Sequence, residues 1–140
     1  YGSLVPLMRS TTGTVPTLVF AETPGGLVPK LAVGCAGNAW IPASVYNIIL
    51  NVVDGGLGAQ QAIEAPRFLI GGGAGGRSNV QIEDRIARTV LADLEARGHS
   101  FTKVGRKGEV AQGYAAVALI NAAKGTVEGG AEPRRSHGAR

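Results

Sequence analysis

The chain has 140 residues, of which 44% are hydrophobic and only 5% aromatic, with a net charge of +4 and a single cysteine. This length suits one domain with a core of Val, Ile, Leu and Ala, and no apolar run reaches the roughly 18 residues of a membrane span. Cys35 alone makes no internal disulfide, His99 and His137 have no ligand partner in sequence, and no basic stripe is interleaved with aromatics as in a nucleic-acid binder.

Twenty-two glycines, many of them paired, mark tight turns between short elements. The excess positive charge gathers at the end, where Arg134, Arg135 and Arg140 have no acidic partner, so 134–140 reads as a basic, solvated tail. The chain opens on Tyr1 without a signal-peptide pattern, which reads as a processed end or the edge of a longer chain.

Residues 1–13 carry a hydroxyl cluster (Ser10, Thr11, Thr12) and no regular pattern. Thr17 to Phe20 and Leu31 to Val33 are β-prone runs separated by a turn at Pro24-Gly25-Gly26, which predicts a hairpin. Gly34 to Ile41 reads as a loop, and Pro42 opens a helix at its first turn. Val45, Ile48, Ile49, Val52 and Val53 give that helix one apolar face before Gly55-Gly56 ends it. A shorter helix is expected over 58–64, with Ala62 and Ile63 inward and Pro66 as its stop.

Gly71 to Gly76 reads as a surface loop and Val80 to Ile82 as a strand. Asp84 is placed to cap a helix carrying Ile86, Val90, Leu91 and Leu94, with Asp93 and Arg97 at i,i+4 spacing and Gly98 at its end. Strands are predicted at 101–104 and at 114–120, the second apolar enough for burial on both faces, with 126–128 as its antiparallel partner. From Ala131 the chain turns polar, which predicts an extended end. The sum is an α+β domain with two main helices on a largely antiparallel sheet.

No self-contained catalytic set emerges. His99 sits just past a helix end, Cys35 has no basic neighbour, and the Gly71–Gly76 run lacks the Lys and following helix of a phosphate loop. Gly34 to Pro42 is more informative. A glycine-bearing turn into a helix N-terminus gathers backbone N–H groups that can stabilise an oxyanion, although a plain strand-to-helix turn has the same sequence.

Several segments together resemble the gamma-glutamyltransferase family of N-terminal nucleophile hydrolases. Gly34 to Asn38 is similar to its Gly-Ser-Pro-Gly-Gly loop, and Asn47 to Gly56 to its helix ending in Asn-x-x-Asp-x-Gly. Ala62 to Phe68 resembles Ala-x-x-Ala-Pro-Arg-Phe, Glu95 to His99 a helix-ending Gly-His, and Pro6 to Ser10 a Pro-Met-Leu-Ser-Ser segment. Gly129 to Arg134 resembles a closing Gly-Ala-x-Asp-Pro-Arg, with Glu132 in place of Asp.

The resemblance implies that residues 1–133 form the C-terminal portion of the small subunit and part of an αββα sandwich. It further implies a γ-glutamyl amide or related acyl substrate, attacked by a threonine that autocleavage leaves at a chain terminus, with no cofactor. Gly37 matches the first oxyanion glycine and Asn38 replaces the second. Ser10 matches one of two substrate-carboxylate serines, and Arg9 replaces the other. Arg67 is expected to tie a helix end to the sheet. The nucleophile itself is absent, so this chain alone is expected to be inactive, and a large subunit with a nucleophile-bearing segment is the expected partner. Two other readings stay open from the sequence: a catalytically silent binding or structural module, and a basic-tailed interaction domain.

Overall fold

The computed structural model describes residues 6, 13–37, 39–72, 78–104 and 113–134. Its elements, in chain order, are β1 (Thr17–Thr23), β2 (Gly26–Ala36), α1 (Trp40–Val53), α2 (Ala59–Glu64), β3 (Phe68–Gly72), β4 (Ser78–Ile82), α3 (Arg88–Ala96), β5 (Phe101–Lys103), β6 (Tyr114–Asn121) and β7 (Thr126–Ala131). The α+β class is as expected. One sheet runs β1-β2-β6-β7 with antiparallel neighbours, and a second runs β3-β4-β5 with β4 and β5 parallel.

The hairpin forms where the sequence places it. Thr23 pairs with Gly26 across Pro24-Gly25, and the Thr23 hydroxyl donates to the Gly26 carbonyl at 2.7 Å. Pro29 lies inside β2 but opposite Phe20, at the register shift of the β1–β2 ladder and before the part of β2 that pairs with β6. A residue without an N–H is tolerated at such a bulge.

β2 runs further than its local sequence suggests, through Gly34 and Cys35 to Ala36, because β6 pairs with it from Leu31 to Ala36. The expected loop over 34–41 therefore shrinks to residues 37–39. α1 begins at Trp40, which puts Pro42 inside the first turn, where a missing N–H costs nothing.

Both α1 and α2 lie on one face of the larger sheet. Val45, Ile48 and Val52 of α1 and Ala59, Ala62 and Ile63 of α2 meet Leu31, Val33, Ala115 and Val117 in one buried cluster. Ile49 packs at its margin, whereas Val53 is exposed. Two buried or half-buried amides lock neighbouring elements to α1. Asn47 Nδ2 donates to the Phe68 carbonyl at 3.0 Å and Asn47 Oδ1 accepts the Phe68 N–H at 3.4 Å, while Asn51 Nδ2 donates to the Ala62 carbonyl at 3.3 Å. The Gln60 side chain pairs with both backbone groups of Ala131, each at 3.0 Å, and so continues the β7 ladder onto α2.

The opposite face of this sheet is open. β6 alternates, with Ala115 and Val117 buried but Ala116 exposed and Ala118 half-buried, so the expected burial on both faces is not seen among the described residues. Leu18 and Phe20 of β1 are exposed on the same side.

α3 starts at Arg88, four residues after Asp84, and its N-cap position is Ala87 without a side-chain cap. The capping role assigned to Asp84 is thus not taken up. The other end behaves as expected. Gly98 has φ +92°, its N–H donates to Glu95 and the His99 N–H to Leu94, which is the Schellman arrangement. Asp93 and Arg97 pair at 3.0 Å on the exposed side. Gly71 and Gly72 belong to β3, so the Gly-rich run is in part a strand, while 73–77 lie outside the described residues. Among the described residues no helix is long and apolar enough to cross a membrane.

Ile48 is fully buried in the α1–sheet seam. Ile48→Ala is expected to cost about 2–5 kcal/mol of unfolding free energy by urea denaturation, and an effect below about 1 kcal/mol would contradict this packing.

Candidate functional site: the Gly37 turn and the charged cluster behind it

The end of the β2–β6 ladder brings two glycines face to face. Gly37 follows the last paired residue of β2 and has φ +126°; Gly113 precedes the first paired residue of β6 and has φ +78°. Both values lie where side chains are disfavoured. The packing is equally restrictive. A Cβ on Gly37 would stand 2.5 Å from Gly113 Cα, and one on Gly113 would stand 2.9 Å from Ser44 Oγ and 3.0 Å from Cys35 Sγ.

Gly37 leads directly into α1, with the Trp40 N–H donating to the Gly37 carbonyl at 3.2 Å. No side chain caps this helix, and its first turn carries no acidic residue. The positive end of the helix dipole therefore lies next to the Gly37 turn, an arrangement suited to a negatively charged oxygen.

Cys35 lines the rear of the turn. Burial pushes its thiol up, a hydrogen bond with Ser44 and the nearby Arg67 charge only partly opposing this, so it is held as the neutral thiol. Its Sγ donates to the Ala36 carbonyl at 3.2 Å. These properties suit a packing residue rather than a nucleophile.

Behind Cys35 and Ser44 lies a set of buried charges. Arg67, Glu83, Glu132 and Arg134 are all at most 4% exposed. Arg67 Nη2 donates to Glu132 Oε2 at 2.7 Å and to the Ile63 carbonyl at 3.2 Å. Its Nη1 makes longer contacts to the Gly113 carbonyl, 3.4 Å, and to Ser44 Oγ, 3.5 Å. Glu132 Oε2 also accepts the Ala115 N–H at 3.1 Å.

Arg134 spans the two carboxylates. Its Nη1 donates to Glu132 Oε1 and its Nη2 to Glu83 Oε2, both at 2.8 Å, and its Nε to Glu83 Oε1. The same guanidinium caps the end of α2 through the carbonyls of Ile63, 2.8 Å, and Ala65, 2.9 Å. Glu83 is held further by Arg85 at 2.7 Å and by the Arg67 N–H at 3.2 Å. Charges taken out of water are tolerated only when paired, and here the Arg67 Nε is the one buried polar side-chain atom among the described residues that lacks a hydrogen-bond acceptor.

The cluster also sets ionisation. Burial by itself raises the Glu83 carboxyl, but hydrogen bonds and charge from Arg134, together with Arg85 and the Arg67 N–H, outweigh it and hold the group below the ordinary carboxylate range. For Arg134, burial is likewise outweighed by the two carboxylates, and its guanidinium is held more firmly charged. Burial and the neighbouring Arg134 charge lower Arg67, against the pull of Glu132.

Of the site residues expected from sequence, Gly37 stands at the turn just described, while Arg9, Ser10 and Asn38 lie outside the described residues. Arg67 does tie the end of α2 to the sheet, as expected, through Ile63 and Gly113. Arg134 requires a correction. Read as the first residue of a solvated tail, it is 3% exposed and paired with two carboxylates, because the turn after β7 returns it over the α2 C-terminus. Residues 135–140 lie outside the described residues. Glu83, Glu132, Ser44 and Gly113 were missed as members of the site, since their partners are remote in sequence. His99 instead lines an apolar cleft against the second sheet, stacked on Phe101. Among the described residues no group of His, Cys, Asp and Glu could hold a metal ion.

The fold is that of the N-terminal nucleophile hydrolases with a gamma-glutamyltranspeptidase arrangement. A gamma-glutamyltranspeptidase from Pseudomonas nitroreducens, solved with L-DON, superposes with a TM-score of 0.72 over 99% of this chain and 66% of its own, at 19% identity. The profile described as Gamma-glutamyltranspeptidase matches residues 2–140, and the chain belongs to that family. It is 32% identical to the glutathione hydrolase proenzyme of Bacillus subtilis subsp. natto over 69% of this chain. It is 34% identical to the acylase ACY 1 proenzyme of a Pseudomonas species over 84% of this chain. The chain spans only 15% and 19% of the length of these two relatives.

Two outcomes follow from this geometry. Glu83→Gln leaves Arg134 short of a counter-charge and is expected to cost about 3–5 kcal/mol of stability near neutral pH. Because the folded-state pKa of Glu83 is depressed below its ordinary value of 4.5, its contribution is complete above that value and is lost as pH falls through the folded pKa. Denaturation measured from neutral pH down to about pH 3 is therefore expected to give a steeper loss of stability for the native protein than for Glu83→Gln. Gly113→Ala, strained in φ and crowded by Ser44 and Cys35, is expected to lose about 1–3 kcal/mol in the same assay.

Proposed function

We propose that this chain supplies the oxyanion-binding turn and the C-terminal part of an enzyme that hydrolyses or transfers γ-glutamyl or related acyl amides. The observation that carries this reading is the Gly37 turn, whose backbone meets an uncapped helix N-terminus in a chain of this family. Attack by an N-terminal threonine, its own α-amino group serving as base, places negative charge on the former carbonyl oxygen. In this reading the Gly37 N–H donates to that oxygen, Asn38 supplies the second donor, and Arg9 and Ser10 hold the substrate carboxylate. The threonine comes from sequence outside this chain, and no metal or cofactor is needed for the step.

A large subunit and the nucleophile-bearing segment are the proposed partners. The open face of the larger sheet, with Leu18, Phe20, Ala116 and Ala118, supports this reading, since apolar surface of that extent favours a covering layer. Both relatives named above are described as proenzymes.

The test is purification of the protein carrying this chain under native conditions, with intact mass, N-terminal sequencing, and hydrolysis of γ-glutamyl and aliphatic acyl anilides. Two chains, one of them starting with threonine, and release of the aniline are expected. A single species that starts at Tyr1 and cleaves neither anilide would overturn the proposal in favour of a catalytically silent module. Within the active protein, Gly37→Ala is expected to lower kcat about a hundredfold per active site titrated with a covalent inhibitor.

A further inference from the structure

The Gly37 turn is closed by the Trp40 N–H on the Gly37 carbonyl and is backed by a second element. Its backbone rests on Gly113, and Gly113 is the first residue of a short segment fixed at both ends by the buried cluster. At one end the Arg67 guanidinium reaches the Gly113 carbonyl at 3.4 Å; at the other, Glu132 Oε2 accepts the Ala115 N–H at 3.1 Å. Arg67 and Glu132 are joined to each other at 2.7 Å. The two thus form one clamp on residues 113–115, with Ser44 of α1 against the same guanidinium.

The other half of the cluster faces away from this segment. Among the described residues, Glu83 and Arg85 bond to the Arg67 N–H, the Glu64 carbonyl, Arg134 and each other, and not to Gly113 or Ala115. The cluster therefore has a side that bears on the turn and a side that holds the α2–β3 junction.

We propose that Arg67 and Glu132 are positioning residues that set the direction of the Gly37 N–H by holding Gly113 against the α-carbon side of Gly37. The inference rests on the reading of Gly37 as an oxyanion donor. Since Glu132 follows β7 directly, it also makes the geometry of the turn depend on the seating of the chain's closing segment. A donor's value to a transition state falls steeply with small errors of placement, so a clamp of this kind would act on kcat rather than on substrate binding.

The experiment compares Glu132→Gln and Arg67→Lys with Arg85→Ala in the protein that carries this chain. Glu132→Gln keeps size but loses charge, and Arg67→Lys keeps charge but loses the two-pronged reach. Arg85 is a partly exposed member on the far side. Hydrogen exchange in the peptide spanning Gly37 to Trp40 is expected to quicken about tenfold in the first two variants and at most about twofold in the third. Turnover per titrated active site is expected to fall about tenfold or more in the first two, with KM within about twofold of the native value.

Should either clamp variant fail to fold, Glu132→Asp, which retains the charge at shorter reach, takes its place and is expected to show an intermediate effect on both readouts. Exchange that rises equally in Arg85→Ala, or that does not rise at the turn in the clamp variants, overturns the clamp. So does a loss confined to the number of titratable sites, with turnover per site unchanged. A native protein that cleaves no amide would sink the enzymatic reading, while the exchange data would still decide whether the clamp exists.

Discussion

The buried ion pair of Arg67 with Glu132 joins parts of the chain that lie far apart in sequence. Arg67 follows the Pro66 that stops α2, and Glu132 follows the last strand, 65 residues later. Through this pair and its neighbours the end of α2, the start of β6 and the closing turn after β7 meet at one point. Neither charge would stay in the interior alone, since the desolvation of each costs several kcal/mol. Arg134 and Glu83 complete the set, so that each guanidinium lies against a carboxylate and further donors reach the carbonyls of Ile63, Ala65 and Gly113, with only the Arg67 Nε left without an acceptor among the described residues.

This arrangement makes the closing segment part of the core rather than an appendage. The bond from Arg134 to the α2 C-terminus caps a helix that has only six residues and could not persist by itself. α2 in turn seats β7, through Gln60 on Ala131 and Glu128 on the Ala59 N–H at 2.8 Å. Gly130 permits the approach, because a Cβ there would stand 2.7 Å from the Ala59 carbonyl oxygen. The same contacts leave the far side of the sheet bare. That asymmetry, a finished helical face and an unfinished flat one, is the physical basis for assigning a further layer to the complete protein.

The proposed chemistry depends on backbone more than on side chains. A turn built from Gly37 and Gly113 can place an N–H close to a substrate because nothing projects from either residue, and α1 starts directly after it. What surrounds the turn is restrained in its reactivity: a thiol kept neutral by burial and a set of charges satisfied by one another. Among the described residues around the turn, the backbone is thus the feature suited to chemistry, as the proposed reading requires.

Local pattern carried the α1 face, the β1–β2 hairpin, the Schellman end of α3 and the β6–β7 pairing, because each depends on neighbours within about ten residues. It also carried the family, through short words such as Ala-Pro-Arg-Phe. Local pattern could not give the true length of β2, since Gly34 and Cys35 become strand only when β6 pairs with them. The same limit hid the start of α3 and the fate of Arg134. In sequence Arg134 opens a basic run; in the fold it lies between Glu83 and Glu132, the former 51 residues away. A charge reads as solvated until its partners are known, and those partners were chosen by the packing of the sheet on its helices. The sequence by itself thus determined the class, the family and most of the elements. Only the tertiary structure decided which charges are buried, because burial and pairing are properties of residues brought together from distant parts of the chain.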